Sequence, residues 1–420
     1  MIDLIRYKRH PESVDRNAKQ DRSAEIEVGK SAQDGRREVS RSAPSGAKNR
    51  VTKKWSAHAA LAGTVLLIGA NVSMAQSAVT IYGTIDASVG ETRDGKTNLK
   101  RLDSGAGSGT RLGFRGSEDL GDGLRAIFLL EMGFAVDTGT LQQGGAAFGR
   151  QSYVGLAGRN WSVTAGRHYA PVELSMVFAD VFAQAYWGNT SGTGNGATSP
   201  ASTLAGDGGQ GVSARISNSV LGLYTLGPVT GRLMVSAGDE SSIGGGHFWS
   251  PSLTYSAGPL LATIGYSRFR QYLKDIPTAT SATWQYEEVA GATYDFDFVK
   301  LYAGYYKFDP AEANKVVGAA TVLSTRSFWL GAKAPFGLHA VSAQVMDTKS
   351  TYIGPAGKGL TLGLVYEYNM SKRTRLYANY GQVNNNSAGR VSLVGGTTFV
   401  SPAAAGADPK ALSLGIQHSF

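Results

Sequence analysis

The residues that could carry catalysis or bind a metal ion are few and scattered in this sequence. It contains no cysteine, which excludes disulfides and thiolate metal ligands. Beyond residue 75 the histidines are His168, His247, His339 and His418, and none of them lies at a metal-ligand spacing from another. No Gly-x-Ser-x-Gly nucleophile motif and no phosphate-binding loop occurs. We therefore expect neither an enzyme nor a bound metal or cofactor.

Two acidic pairs could suggest general acid–base chemistry. Glu118 and Asp119 are adjacent in a short segment that reads as a tight turn between two strands, where a structural role is expected. Glu287 and Glu288 fall inside a predicted strand, so their side chains point to opposite faces and cannot act on one substrate. The glycine runs, such as Gly144-Gly145, are typical of loops rather than of phosphate cradles.

The composition indicates an all-β chain with many turns. Charged residues make up 17% of the sequence, against roughly 25% in typical soluble domains. Glycine is frequent, at 55 of 420 residues, and Tyr is the commonest aromatic residue at 19. This composition excludes a coiled coil, a helical membrane protein and a cysteine-rich module.

The net charge of +9 does not predict a nucleic-acid partner. Residues 1–50 carry +4 and residues 51–75 carry +2, which leaves only +3 for residues 76–420. The basic character therefore belongs mainly to the first part of the chain. No nucleic-acid partner is expected.

Residues 51–75 have the pattern of a Sec signal peptide. Lys53 and Lys54 precede an apolar stretch at 57–70, and Ser73 and Ala75 supply small residues before a cleavage site. The apolar stretch is shorter than the ~20 residues of a spanning helix. A buried core helix is the alternative. Cleavage would start the mature chain near residue 76.

Residues 1–50 precede this segment and are polar, charged and almost free of aromatic residues. Such a composition predicts disorder. We expect a non-native or disordered extension that results from a mis-assigned start codon, with Val51 as the initiator. The alternative is a genuine, unusually long basic region ahead of the signal peptide.

From Val79 onward the sequence alternates with a period of two. In the first segment Val79, Ile81 and Ile85 share one face, whereas Thr80 and Thr84 lie on the other. This alternation predicts half-buried strands. Sixteen such segments follow one another, at 79–90, 108–117, 124–134, 147–157, 161–169, 214–224, 231–238, 248–257, 259–269, 282–293, 298–308, 323–333, 338–348, 358–368, 373–383 and 411–420.

The connections favour a transmembrane antiparallel β-barrel over a soluble sandwich. Tight connections, such as 158–160 and 369–372, alternate with long stretches rich in Gly, Ser, Thr and Asn. Short turns on one side and long loops on the other are typical of such barrels. Sixteen strands enclose an aqueous channel. The longest connection, about 170–214, follows the fifth predicted strand and is expected to be functional.

Several motifs resemble the general porins of Gram-negative bacteria, of the β-proteobacterial type. Residues 109–134 read GTRLGFRGSEDLGDGLRAIFLLEMGF and resemble that family's second strand, turn and third strand. Further similar segments, in the same order, are 148–156 (FGRQSYVGL), 165–168 (AGRH), Arg215 with 218–220 (NSV), 368–374 (YNMSKRT) and 415–420 (GIQHSF). The resemblance covers about 79–420, is weakest in the long loops and does not extend to residues 1–50.

The resemblance implies a homotrimer of sixteen-stranded barrels in the outer membrane, each narrowed by its third extracellular loop folded inward. It also implies a constriction in which wall arginines face acidic groups. Transferred motif by motif, Arg111, Arg150 and Arg215 form the basic cluster and Glu131 is an acidic partner.

The alternation independently predicts a lumenal position for Arg111, Glu131 and Arg215, because each opposes an apolar face. A charged side chain on the lipid face costs about 2–4 kcal/mol at the membrane midplane. Arg150 is different, since it shares its parity with Val154. A local bulge or a register error would explain this.

The remaining expectations concern the loop and the C-terminus. Asp180 is the chosen acidic residue of the long loop, with Glu173 second. The terminal Phe420 resembles the family's recognition signal for the barrel-assembly machinery.

The resulting hypothesis is a general diffusion porin that passes small hydrophilic solutes and ions and is mildly anion-selective. A substrate-specific channel is the alternative, for which Tyr186-Trp187 in the long loop is the one hint. An outer-membrane enzyme is a third hypothesis, which the absent catalytic motifs disfavour.

Overall fold

The computed structural model describes residues 78–191, 214–238, 247–271, 283–309, 322–352 and 355–420. The predictions for the extension 1–50, for the signal peptide 51–75 and for the start of the mature chain near residue 76 lie outside these residues.

Strands make up almost all of the regular structure in the described part of the chain. They are β1 (Ala78–Arg93), β2 (Asn98–Ser104), β3 (Arg111–Gly121), β4 (Leu124–Gly133), β5 (Gln151–Ala157), β6 (Trp161–Tyr169), β7 (Arg215–Leu226), β8 (Val229–Ala237), β9 (His247–Ala257), β10 (Leu260–Gln271), β11 (Thr283–Asp295), β12 (Lys300–Asp309), β13 (Val322–Phe336), β14 (His339–Tyr352), β15 (Gly357–Asn369), β16 (Thr374–Asn385), β17 (Leu393–Gly395), β18 (Thr398–Val400) and β19 (Lys410–Ser419). One α-helix, α1 (Pro171–Ala179), follows β6. Within the described ranges, no helix is long and apolar enough to cross a membrane.

The strands form a closed antiparallel β-barrel. From β3 to β16 each strand pairs with the next one along the chain, β16 pairs with β19, and β19 pairs with β1. Strands β2 and β3 pair with the two halves of the same side of β1, so together they make one barrel strand. The wall therefore has sixteen strands, which confirms the predicted fold. Strands β17 and β18 form a separate hairpin in the last loop.

The two faces of the wall differ as the alternation predicts. Outward-facing side chains are large, apolar and exposed, as in Val79, Ile81, Val154, Leu330 and Leu414. The opposite face carries small polar side chains that are buried, such as Ser88, Thr263, Ser267, Ser327 and Ser413. Because the exposed face is the apolar one, the outside of the barrel is suited to lipid rather than to water.

The described part of the long connection, residues 170–191, lies against the polar, inward face of the wall. The indole Nε1 of Trp329 in β13 donates a hydrogen bond to the carbonyl oxygen of Ala179, at 2.8 Å. At the far end of the segment, the indole Nε1 of Trp187 donates to the Ser413 hydroxyl of β19, at 2.8 Å. Helix α1 also contacts β9, β10 and β11, so the segment spans the inner surface from β9 to β19.

Glycines in the wall allow this close approach. A Cβ added to Gly363 in β15 would lie 2.5 Å from the Phe182 ring, and one added to Gly381 in β16 would lie 2.6 Å from the Trp187 Cβ. Such distances are shorter than packed side chains tolerate. Gly188 itself has φ +88° and lies against Gly363, so the chain and the wall meet backbone to backbone.

Candidate functional site

Four elements bring the predicted charged residues to one part of the wall. Arg111 is the first residue of β3 and Arg215 the first of β7. Glu131 lies near the end of β4, and Arg150 immediately precedes β5. All four residues lie at the strand ends from which the long connections leave the wall. Antiparallel pairing of β3 through β7 places these ends side by side.

The Glu131 carboxylate is the centre of this group. It accepts a hydrogen bond from Arg150 Nε at 2.8 Å on one oxygen. Its other oxygen accepts from the Tyr82 hydroxyl at 2.9 Å and lies 3.7 Å from Arg111 Nε. Arg111 also donates to the Gly109 carbonyl oxygen at 2.9 Å. The carboxylate therefore holds two guanidinium groups in fixed positions.

The Tyr169 hydroxyl links the third arginine to the group. It accepts hydrogen bonds from Arg150 Nη2 at 2.8 Å and from Arg215 Nη2 at 2.7 Å. The Arg215 guanidinium also lies 4.4 Å from the centre of the Tyr169 ring, a cation–π distance. Three arginines and one carboxylate thus form one array, joined by hydrogen bonds and by the Arg111–Glu131 ion pair, with a formal charge of +2. We call these four residues with Tyr82 and Tyr169 the arginine cluster.

Arg150 lies outside the regular strand, which explains its parity. Strand β5 begins at Gln151, and Arg150 is held by a backbone hydrogen bond from its N–H to the Glu131 carbonyl oxygen, at 3.1 Å. Val154 faces outward and is exposed, as the alternation requires. Because the alternation does not extend to residue 150, the Arg150 side chain turns inward to Glu131.

Gly113 makes room for the Tyr82 ring. In the sheet, Gly113 of β3 lies between Tyr82 of β1 and Glu131 of β4, paired with both. A Cβ on Gly113 would lie 2.6 Å from the Tyr82 hydroxyl oxygen. The ring crosses β3 at this position, and its hydroxyl reaches the carboxylate two strands away. Sequence reasoning did not include Tyr82 or Tyr169 in the site, although the alternation places Tyr82 on the polar face.

Asp180 has a different position from the one expected of a lumenal acid. It is 2% exposed. Its carboxylate accepts hydrogen bonds from the backbone N–H groups of Phe182, Gln184 and Thr190 and from the Thr190 hydroxyl, at 2.9–3.0 Å. Burial raises the pKa of Asp180, and these four donors act in the opposite direction. The residue fixes the shape of the loop and does not line open space.

Glu173, the second candidate in the loop, lies in the first turn of α1 and is also buried. An acidic side chain near a helix N-terminus is favoured by the helix dipole. Both loop acids therefore belong to the packing of the segment against the wall.

A second charged group, on β13, β15 and β16, was not predicted. The Glu367 carboxylate accepts hydrogen bonds from Lys333 Nζ, from Arg375 Nη1 at 2.6 Å and from the Tyr186 hydroxyl of the long loop at 2.9 Å. Burial and the nearby Glu367 carboxylate raise the pKa of Tyr186. The alternation does place Glu367 on the polar face, and this is the signal that could have identified it. The contact with Tyr186 depends on the loop path and has no sequence signal.

The site is a group of charged side chains joined by hydrogen bonds and ion pairs at adjacent strand ends of the wall. In the part of the chain that the structure describes, no group of three His, Asp or Glu side chains could hold a metal ion. The model of the Gram-negative porin family matches residues 57–388. The chain belongs to the Gram-negative porin family.

Known relatives agree with this assignment. The porin is 29% identical over 369 residues to outer membrane porin protein 32 of Delftia acidovorans, covering 86% of this chain and 99% of the relative. It is 28% identical over 413 residues to an outer membrane porin of Bordetella pertussis, again covering 86% of this chain and 99% of the relative.

Solved structures give the same result. The structure of the anion-selective porin from Comamonas acidovorans matches with a TM-score of 0.68 at 26% identity, covering 82% of this chain and 100% of that chain. OmpT of Vibrio cholerae matches with a TM-score of 0.61 at 13% identity, which shows a shared fold. The porin is an outer-membrane diffusion channel for small hydrophilic solutes, and its family and fold are those of a channel.

Proposed function

We propose that this porin is mildly anion-selective and that the arginine cluster lines its constriction. The observation that carries the proposal is the charge of the arginine cluster, which contains three guanidinium groups and one carboxylate. Arg150 donates hydrogen bonds to Glu131 and Tyr169, Arg215 donates to Tyr169, and Arg111 forms an ion pair with Glu131 at 3.7 Å. The similar porin from Comamonas acidovorans is described as anion-selective, which supports the same direction here.

The arrangement acts on ions through fixed charge. A wall with a formal excess of two positive charges lowers the energy of an anion that enters and raises that of a cation. The hydrogen bonds keep the guanidinium groups in place, so no rearrangement is needed when an ion passes. Because each group is anchored to the wall and not to the solute, passage stays fast and unspecific.

The alternative of a substrate-specific channel rested on Tyr186-Trp187. Trp187 is 0% exposed, and Tyr186 is bound to Glu367 through its hydroxyl. Both aromatic side chains hold the loop to the wall, so they are not available as a binding surface for a solute. This observation favours general diffusion.

Four further points belong to the same proposal. The porin assembles as a homotrimer, and its chemistry is transport rather than catalysis. The mature chain begins near Gln76 after removal of a signal peptide. Phe420 serves as the signal for the barrel-assembly machinery: its backbone pairs with Gly83 through two hydrogen bonds of 3.1 and 3.2 Å, and its ring is 44% exposed on the lipid face.

Liposome swelling with neutral sugars of graded size tests general diffusion. We expect the swelling rate to fall smoothly with solute size and to be the same for isomers of equal size. A sugar that enters much faster than its isomers, or that saturates at low concentration, would contradict general diffusion and support a specific channel.

A further inference from the structure

Two strands of the wall carry apolar side chains on their inward face, where most strands carry small polar ones. In β4, Ile127 has the parity of Glu131, which faces the lumen. In β7, Leu221 and Leu223 have the parity of Ser219, which is buried on the inward face. All three apolar side chains are half-buried. We call Ile127, Leu221 and Leu223 the apolar strip.

The members of the apolar strip are separated by small residues. The strand registers pair Ile127 with Gly155 of β5, Gly155 with Thr164 of β6, and Thr164 with Leu221. No large side chain stands between the two ends of the strip at this level. The inner surface is therefore low and largely apolar from β4 to β7.

The apolar strip lies between the arginine cluster and the tight turns. Ile127 is four residues from Glu131 along β4, and Leu221 is six residues from Arg215 along β7. At about 3.3 Å per residue, these separations are roughly 13 and 20 Å along the strands. A solute that enters past the arginines therefore meets the apolar strip next.

Helix α1 adds apolar side chains that are not packed against the wall. Leu174 and Phe178 are half-buried, whereas the other seven residues of α1 are buried. Because they are four residues apart, Leu174 and Phe178 lie on the same face of the helix. The helix packs against β8 to β12, which leaves this face on the side of the lumen.

Arg232 of β8 connects the helix to the apolar strip. It is paired in register with Leu223, and its guanidinium lies 5.6 Å from the centre of the Phe178 ring. It also donates a hydrogen bond to the Thr254 hydroxyl, at 3.1 Å. None of the ion pairs among the described residues includes Arg232. A positive charge without a carboxylate partner thus lies at the far end of the strip.

Packing of the long loop does not account for the whole strip. Leu221 does pack against the apolar core beneath α1, which includes Met176 and Met234. Ile127, however, lies on β4, four strands from β8, the nearest strand against which α1 packs. Apolar side chains on both sides of a water-filled passage favour solutes that themselves have an apolar part.

We propose that this porin passes anions with an apolar body, such as aromatic carboxylates, faster than hydrophilic anions of the same size and charge. The inference rests on the anion selectivity proposed for the arginine cluster. The guanidinium groups attract the carboxylate, while the apolar strip and the Leu174–Phe178 face remove part of the ring from water. Arg232 then offers the carboxylate a second position. The preference is a graded difference in rate and needs no saturable binding site.

Benzoate and nicotinate are a matched pair of probes. Both are planar aromatic carboxylates of nearly equal size that carry one negative charge at about pH 8, and the ring nitrogen makes nicotinate more hydrophilic. Single channels in a planar bilayer separate potassium benzoate from potassium nicotinate, and the reversal potential gives the permeability ratio of the two anions. Acid that crosses the lipid in its neutral form carries no current, so the reading reports the channel.

The test variant combines Ile127→Asn with Leu223→Asn, which makes the strip polar at nearly constant size. Its matched control combines Ile127→Val with Leu223→Met, which keeps the same positions apolar. We expect the wild type and the control to pass benzoate roughly threefold to tenfold faster than nicotinate, because each methylene-sized group removed from water favours transfer about fourfold. The ratio should fall to about one in the test variant.

Leu223→Asn alone should give an intermediate ratio and serves as the test if the double variant does not insert. A wild type that passes benzoate and nicotinate equally would overturn the inference. So would a test variant, double or single, that keeps the wild-type ratio.

The wild type in a KCl gradient tests the proposed function separately. Anion preference in KCl together with equal passage of benzoate and nicotinate would refute only the preference for apolar anions. Cation preference in KCl would refute the role proposed for the arginine cluster and would remove the basis of the further inference as well.

Discussion

Replacing Arg111, Arg150 and Arg215 by Gln in one variant should move the ion preference of the pore towards cations. The three guanidinium groups and Glu131 belong to one array of hydrogen bonds and ion pairs. The substitution changes the formal charge of that array from +2 to −1. Because Gln retains hydrogen-bonding atoms, the change is mainly one of charge.

The size of the effect can be worked out with Coulomb's law for an ion path taken as about 8 Å from each guanidinium group. A unit charge about 8 Å from the path of an ion contributes about 0.5 kcal/mol in water, and screening at 0.1 M salt, where the Debye length is about 10 Å, reduces this to about 0.2 kcal/mol. Three charges therefore change the barrier by about 0.7 kcal/mol, in opposite directions for anions and cations. The permeability ratio should change about tenfold. The protein wall lowers the effective dielectric constant, so this figure is at the smaller end of the range.

The assay is the reversal potential of single channels between about 0.1 M and about 0.01 M KCl, which should shift by tens of millivolts. At about 1 M salt the Debye length is about 3 Å, and the difference should shrink. Glu131→Gln should shift the potential in the anion direction. A control variant with Arg159→Gln, Lys372→Gln and Arg373→Gln, which removes three positive charges from tight turns of the wall, should not shift it. An unchanged reversal potential in the triple arginine variant would show that the arginine cluster is not the selectivity filter.

Three further predictions concern the wall, the loop and the C-terminus. Gly113→Ala should displace the Tyr82 ring and lower the stability by about 1–3 kcal/mol, measured by thermal unfolding. The control Gly222→Ala, whose added Cβ would meet one atom at 3.9 Å, should have little effect. Equal effects of the two substitutions would refute the steric argument. Trp187→Phe removes a buried indole hydrogen bond, which should lower the free energy of unfolding by about 1–3 kcal/mol. It should also increase current fluctuations in single-channel records. A variant without increased fluctuations would contradict the anchoring role of Trp187. Phe420→Ala should reduce the yield of folded trimer on gels without changing the conductance of each pore; normal yields would argue against an assembly signal.

The fold was largely predictable because the barrel needs only local information. Each strand alternates apolar and small polar residues, and each boundary has a turn or loop signal, so the count of sixteen is correct. Three strands were not predicted: β2 (Asn98–Ser104) and the short hairpin strands β17 and β18 of the last loop. Lys100, Arg101 and Asp103 interrupt the alternation of β2. The β2 segment pairs with residues 87–93 of β1.

The site was predictable only in part, because its contacts join distant residues. The motif resemblance gave Arg111, Arg150, Arg215 and Glu131, and the structure brings these four together. It did not give the bridging hydroxyl of Tyr169, since a tyrosine at a strand end has no distinctive sequence signal. The path of residues 170–191 could not be predicted from the sequence either. Three non-glycine residues in it, Ala183, Gln184 and Tyr186, have positive φ values. Such values run against local preference, so they depend on tertiary contacts.

Asp180 shows why residue type alone misleads. An acid in a loop near a basic wall suggests an electrostatic role across the lumen. Its carboxylate instead takes four donors from its own loop. Nothing in the residues beside it distinguishes these two uses, because the donors are mostly backbone groups that every residue carries.

The glycines beneath the long loop let a segment of chain lie directly on the wall, so the circumference of the barrel and its free cross-section can change independently. Strand number and tilt determine the circumference of the barrel, whereas a segment that lies on its inner surface takes up part of the cross-section without changing that circumference. Changes within residues 170–191 would thus adjust the size cut-off for solutes while the barrel that the strands form, and that the assembly machinery inserts, stays the same. Selection on permeability can therefore act on the residues of this segment without disturbing the assembly of the barrel strands.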